Sequence, residues 1–176
     1  AAFTEPEIQR TNLAAVILQM ATLGFGDIAA FPFVDPPDSR LVRDGYKLLE
    51  ELAAVDRRHK VTRLGQRLAR LPVDPRIARM LIAAAETGCL RETVVIAAAL
   101  SVQDPRDRPA DKRAEADEAH AQFADERSDF LAWLKLWTFL EDNRRHLTRR
   151  KFERLCRLHF LSASRVREWH DVQVQI

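Results

Sequence analysis

Residues 61–80 read VTRLGQRLARLPVDPRIARM, and the way this stretch is parsed decides the fold. Val61-Thr62 is extended in character and leads into a short helix from about Leu64 to Leu71. Pro72-Val73-Asp74-Pro75 interrupts it, since proline lacks an amide donor and restricts the residue before it. Asp74 then stands as an N-cap with Pro75 at the first helical position, which opens a new helix. That helix is lined by Ile77, Met80, Leu81 and Ala84 and closed by Gly88. The tetrapeptide therefore reads as a boundary between two helical modules.

Upstream, Thr4-Glu5-Pro6-Glu7 has the form of a capping box with proline in the first turn. Leu13, Val16, Ile17 and Met20 follow at helical spacing, and Gly24 ends the run. After FGDIAAFPF and the rigid Asp35-Pro36-Pro37, Asp38 can cap a second long helix with an inner face of Leu41, Gly45, Leu48, Leu49 and Leu52. A polar turn, Arg57-Arg58-His59-Lys60, joins it to the opening stretch. Helices followed by a turn bounded by short extended residues give the order of a winged helix with only a minor β wing.

Downstream, TVVIAAAL at 93–100 is apolar on every side, as expected of a helix at the middle of a bundle. Asp104-Pro105 stops it. The loop DPRDRPADKR then carries four Arg or Lys around two prolines. A polar helix is expected within 110–124. Ser128 is positioned to cap a helix with an inner stripe of Phe130, Trp133, Leu134 and Trp137. Thr148 opens another, with Phe152, Leu155 and Cys156 inside, and a last helix at 163–174 buries Val166 and Trp169.

The chain has 176 residues, 47% hydrophobic and 31% charged, the balance of a soluble globular protein. No apolar run approaches the roughly 18 residues of a membrane span. A net charge of +2 is too small to mark a dedicated nucleic-acid domain, but its distribution is uneven. Asp104–Asp129 holds nine acidic and five basic side chains, whereas Arg144–Arg167 holds nine basic and one acidic. The basic stretch is either a solvated helix face, a phosphate-facing surface, or a surface docked on an acidic neighbour. Cys89 and Cys156 have no metal-ligand spacing and read as buried thiols of a reducing compartment.

Residues 115–122, EADEAHAQ, spell out an ATPase signature in Asp117, Glu118, Ala119 and His120. The letters lack their context. The five glycines form no GxxxxGK[ST] loop, so nothing cradles a phosphate, and the four letters follow a polar helix instead of a buried strand. The stretch reads as a solvated helix face in which His120 bonds a nearby carboxylate or carbonyl. No second Asp/Glu-x-x-His supports a metal pair, and no GxSxG supports a hydrolase. No catalytic or metal-binding constellation is expected.

The segments EIQRTNLAAVILQMATLGFGDIAAFPFVDPP, VTRLGQRLARLPVDPRIARML, GCLRETVVIAAALSVQDPRDRP, DFLAWLKLW and LCRLHFLSASRVREW resemble the C-terminal part of DEAH-box RNA helicases, most closely the bacterial HrpA-type members. The resemblance covers essentially the whole chain. It implies a mainly α architecture: residues 1–6 as the exit from a second RecA-like domain, 7–71 as a winged helix, and 72–176 as a ratchet-like (HA2) helical bundle. It further implies that the chain is a piece of a longer cytoplasmic protein. The ATP- and Mg-binding RecA-like core and an OB fold would lie elsewhere in the same polypeptide, so the chain would carry no cofactor and no ATPase activity of its own. Its partner would be single-stranded RNA, moved 3′→5′ through a channel that the bundle helps to form. By segment, the resemblance points to Arg91, at the start of the 93–100 helix, and to Arg106, Arg108, Lys112 and Arg113 as RNA contacts. For Arg106 an ion pair with a nearby aspartate is an equal alternative. The competing reading of the whole chain is a stand-alone winged-helix DNA-binding regulator, with Arg57-Arg58-His59-Lys60 as its wing.

Overall fold

The computed structural model describes residues 13–26 and 28–176. The capping box at Thr4-Glu5-Pro6-Glu7 and the segment 1–6 lie outside the described residues, as does Asp27. The chain is mainly helical and divides into two compact units, the first reaching Glu86 and the second spanning Thr87–Ile176.

In the first unit α1 (Leu13–Thr22) buries Leu13, Ala14, Ile17 and Leu18. A 3-10 turn at Ile28–Ala30 leads toward α2 (Ser39–Glu51), whose N-cap Asp38 accepts the Arg40 amide at 2.6 Å. Helices α1 and α2 pack closely because Gly45 has no side chain. A Cβ there would meet Ile17 Cδ1 at 2.6 Å and the Ala14 nitrogen at 3.3 Å. The inner face of α2 is Val42, Gly45, Tyr46 and Leu49, with Leu48 and Leu52 only partly buried. Leu41, expected inside, is 42% exposed. The buried arc of α2 runs through Val42, Gly45, Tyr46 and Leu49, and at 3.6 residues per turn Leu41 stands at its margin.

After α2 the chain makes the 57–60 turn. The Asp56 carboxylate accepts the Arg58 and Lys60 amides at 2.8 and 2.9 Å, which holds its carboxyl below the usual range. His59 stacks on Tyr46 with ring centroids 3.9 Å apart. The β wing reduces to an isolated Val55–Val61 bridge. Thr62 then caps α3 (Arg63–Leu68) through the Gly65 amide at 3.0 Å. Asp74 accepts the Arg76 amide at 2.8 Å at the head of α4 (Pro75–Thr87). Ala78 and Ile82 of α4 join the core built around Ile17, Leu49 and Leu68.

The second unit contains α5 (Leu90–Ser101), α6 (Arg113–Ala121), α7 (Asp129–His146), α8 (Arg149–Leu158) and α9 (Ala163–Gln175). Helix α5 packs against both α7 and α9, the central place that its all-round apolar sequence implies. Trp169 is fully buried at the middle of this unit. Its indole N–H donates to the Val95 carbonyl at 3.0 Å, while Trp133 and Trp137 pack on the ring with centroids 5.3 and 4.9 Å away. The tryptophans are core residues. The innermost positions of α7 are Ala132, Leu136 and Leu140, and Phe130 is 47% exposed instead of buried. Phe130 lies in the first turn, where its amide is held by the Ser128 cap at 3.1 Å.

Candidate nucleic-acid interface

Five cations were expected to meet RNA, and their surroundings divide them. The loop leaving α5 is built on Asp104, whose carboxylate accepts the Arg106 amide at 2.9 Å. The Arg106 guanidinium folds back on the same carboxylate at 2.8 to 3.2 Å and lies 4.5 Å above the Trp133 ring. Burial opposes ionisation of Asp104, but these bonds outweigh it and keep its carboxyl below the usual range. Arg108 pairs with Asp117 at 3.0 Å. Both arginines line one open hollow of about 350 Å3 together with Asp117, His120, Asp125 and Asp129. Lys135 first, and then the Arg127 amide, hold the Asp125 carboxyl down at about 2.

Arg91, Lys112 and Arg113 differ. All three are exposed and have no ion-pair partner among the described residues. Lys112 and Arg113 are adjacent at the head of α6, after a 3-10 turn at Ala110–Lys112. Arg91 sits in the first turn of α5 and shares no hydrogen bond or ion pair with the other four. The fold therefore supplies three uncommitted cations and two that are neutralised by their own aspartates.

The loop is fixed from a distance. Asp107 N–H donates to the Phe160 carbonyl at 2.8 Å, and Ser162 N–H to the Pro105 carbonyl at 2.8 Å. Arg165 reaches Asp107 at 2.7 Å and the Asp104 carbonyl at 3.1 Å. Nothing in the local sequence announces this brace, because Arg165 is 58 residues from Asp107.

The EADEAHAQ stretch splits by face. Asp117 and Glu118 are exposed on α6, whereas Ala116 and His120 are turned inward. His120 Nε2 lies 3.1 Å from the Phe160 carbonyl, and Nδ1 has no partner among the described residues. The stretch is thus only half solvated. It secures α6 to the turn between α8 and α9.

The cysteines also part company. Cys156 is buried, and burial pushes its thiol up to about 11. Cys89, expected inside, is exposed at the N-cap of α5. The Thr87 hydroxyl, 3.3 Å from its sulfur, and then the Thr93 hydroxyl lower its pKa. Alkylation with iodoacetamide in the native state is expected to modify Cys89 alone, because the thiolate is the nucleophile. Cys156 should react only after denaturation, as read by mass spectrometry of timed samples. Equal rates at both sites would contradict the placement.

Comparison with known proteins connects this geometry to a family. Residues 45–73 match the helicase-associated domain (HA2), winged-helix, and residues 74–133 the helicase-associated domain (HA2), ratchet-like. The chain is 53% identical to the ATP-dependent RNA helicase HrpA of Escherichia coli and 51% identical to its homologue in Haemophilus influenzae. In each case 99% of this chain aligns with 14% of the relative. It is 36% identical to the pre-mRNA-splicing factor ATP-dependent RNA helicase prp22 of Schizosaccharomyces pombe, with 97% of this chain aligned to 14% of that protein. The chain therefore spans about one seventh of the length of these relatives. Among the described residues no helix is long and apolar enough to cross a membrane. The chain belongs to the helicase-associated HA2 family: it is a winged-helix domain followed by a ratchet-like helical domain, of the kind carried by HrpA-type RNA helicases.

Proposed function

We propose that this chain is the accessory region of an ATP-dependent RNA helicase. It contributes part of the wall along which single-stranded RNA passes, and it couples nucleotide-driven movement of a RecA-like core to 3′→5′ translocation and unwinding. The observation that carries the reading is the 53% identity to an ATP-dependent RNA helicase along nearly the full chain. The core, the OB fold, ATP and Mg belong to the remainder of such a polypeptide, and the cytoplasm is the compartment that suits it. The uncommitted cations Arg91, Lys112 and Arg113 are the side chains best placed to meet phosphates, while Arg106 and Arg108 shape the loop that leads to Lys112 and Arg113. Nothing in the fold or the relatives favours a stand-alone DNA regulator.

Phosphate contacts are sequence-independent and weaken with salt. Fluorescence anisotropy of this chain with a short labelled oligouridylate at two salt concentrations is expected to show weak, salt-sensitive binding. Joint substitution of Arg91, Lys112 and Arg113 by glutamine should flatten the log–log salt slope by about 2, at roughly 0.7 per lost single-strand phosphate contact. Tight, salt-insensitive or sequence-selective binding would overturn the proposal.

A further inference from the structure

Helix α8 carries Arg149, Arg150 and Lys151 in its first turn and no acidic residue there. That is the wrong end of a helix for positive charge, since the amide dipoles already make the N-terminus positive. Thr148, at the N-cap, makes no capping bond through its hydroxyl. Stability of the helix does not account for this arrangement.

The rest of the helix sharpens the point. Phe152 and Cys156 are on the side packed against the second core, whereas Arg150, Lys151, Arg154 and Arg157 are all exposed. At 3.6 residues per turn, Arg150, Arg154 and Arg157 fall within an arc of about 60° and extend over about 10 Å, with Lys151 on their flank. The one carboxylate of the helix, Glu153, is taken by Arg149 at 3.1 Å and Arg167 at 3.7 Å on the opposite flank. None of the four exposed cations has an ion-pair partner among the described residues. This helix also lies beyond residues 74–133, the part that matches the ratchet-like family model.

We propose that the outward face of α8, formed by Arg150, Lys151, Arg154 and Arg157, is a second track for RNA backbone phosphates, separate from the cations of the 103–113 loop and the α5 start. It rests on the RNA-helicase reading above and extends it to a surface that reading does not use. The occupant follows from charge complementarity. A ladder of cations stepping along a straight axis matches a repeating chain of phosphates. A protein partner would call for an aromatic or apolar anchor at the centre of the contact. The face offers only Leu158, the last residue of the helix. Arginine suits the task because its planar fork binds phosphate oxygens in pairs.

The test compares three versions of this chain: unaltered, Arg150→Gln/Arg154→Gln/Arg157→Gln, and Arg91→Gln/Lys112→Gln/Arg113→Gln. Circular dichroism checks that each retains its helices, as expected for exposed positions. Each is titrated with a short and a long oligouridylate, and with polyglutamate as an acidic polypeptide. The α8 variant is expected to bind the long RNA about tenfold more weakly at low salt and with a salt slope flatter by about 2. It should lose the affinity that the unaltered chain gains from RNA length, whereas the loop variant keeps that gain. If the α8 variant binds long RNA as the unaltered chain does while the loop variant is impaired, the second track is wrong and the first proposal stands. If no version binds RNA, both fail. Loss of polyglutamate binding with RNA binding intact would assign the face to an acidic protein and overturn the inference.

Discussion

Replacing Trp169 with alanine is expected to cost about 3–5 kcal/mol, the range for emptying a large aromatic from a core. The side chain is fully buried and touches both other tryptophans of the chain, so the cavity it leaves borders α5, α7 and α9 at once. It also donates the indole bond to the Val95 carbonyl that ties α9 to α5. Phenylalanine should keep most of the packing and lose the bond, at a smaller cost of about 1–2 kcal/mol. Denaturant melts followed by far-UV circular dichroism would show the order unaltered, Trp169→Phe, Trp169→Ala. An alanine variant that melts with the unaltered protein would refute the placement of Trp169.

The second large effect is expected at Gly65, in the first turn of α3. A Cβ at this position would be driven into the Ala54 carbonyl oxygen and would press on Val61 Cγ1 at 3.0 Å. That carbonyl also accepts the Thr62 amide at 3.0 Å and the Thr62 hydroxyl at 3.2 Å, so it cannot retreat without breaking the turn that starts α3. Gly65→Ala should therefore destabilise the first unit by about 3 kcal/mol or more, at the upper end of overpacking costs. Gly45→Ala should be milder, because the nearest atom there is the end of the Ile17 side chain. The three tryptophans, 133, 137 and 169, all lie in the second unit and the single tyrosine, Tyr46, in the first. Comparing circular dichroism with tryptophan emission thus separates the two units during the melt. A Gly65→Ala chain whose circular-dichroism transition is unchanged would contradict the close approach.

Much of the fold was legible residue by residue. Asp38, Asp74 and Ser128 announce helix starts, and each accepts the amide its position implies, whereas Thr62, read as extended, turned out to cap α3. Those signals are local, since a cap needs only its own first turn. Inner faces were read less well. Leu41 and Phe130 looked like core because they are large and apolar, but rotation of a helix about its axis is set by where it can approach its neighbour. For α2 the buried arc centres on Val42, Tyr46 and Leu49 and leaves Leu41 at its margin. For α7 the innermost positions are Ala132, Leu136 and Leu140, with the tryptophans of the expected stripe at their sides.

The candidate interface shows the same division. Clustering of Arg106, Arg108, Lys112 and Arg113 in one loop is plain in the sequence. The pairing of Arg106 with Asp104, two residues away, was one of its two expected roles, but the commitment of Arg108 is not legible there, because Asp117 and Arg165 reach the loop only through the folded bundle. Cys89 was misjudged for a related reason: a thiol at a helix start has no periodic neighbours to tell which way it faces.

The sequence by itself determined the helical class, the proline-marked break between α3 and α4, most helix starts and the lack of context around EADEAHAQ. Each depends on covalent geometry and hydrogen bonds made within a few residues, which any fold must respect. Tertiary structure alone decided that His120 turns inward to the Phe160 carbonyl, that Arg108 is neutralised by Asp117, and that Arg150, Arg154 and Arg157 of α8 are left facing water. Those outcomes depend on which carboxylates and carbonyls chain topology brings within hydrogen-bonding distance. Charge along a sequence is only an inventory; pairing in space settles which charges remain free to meet a partner.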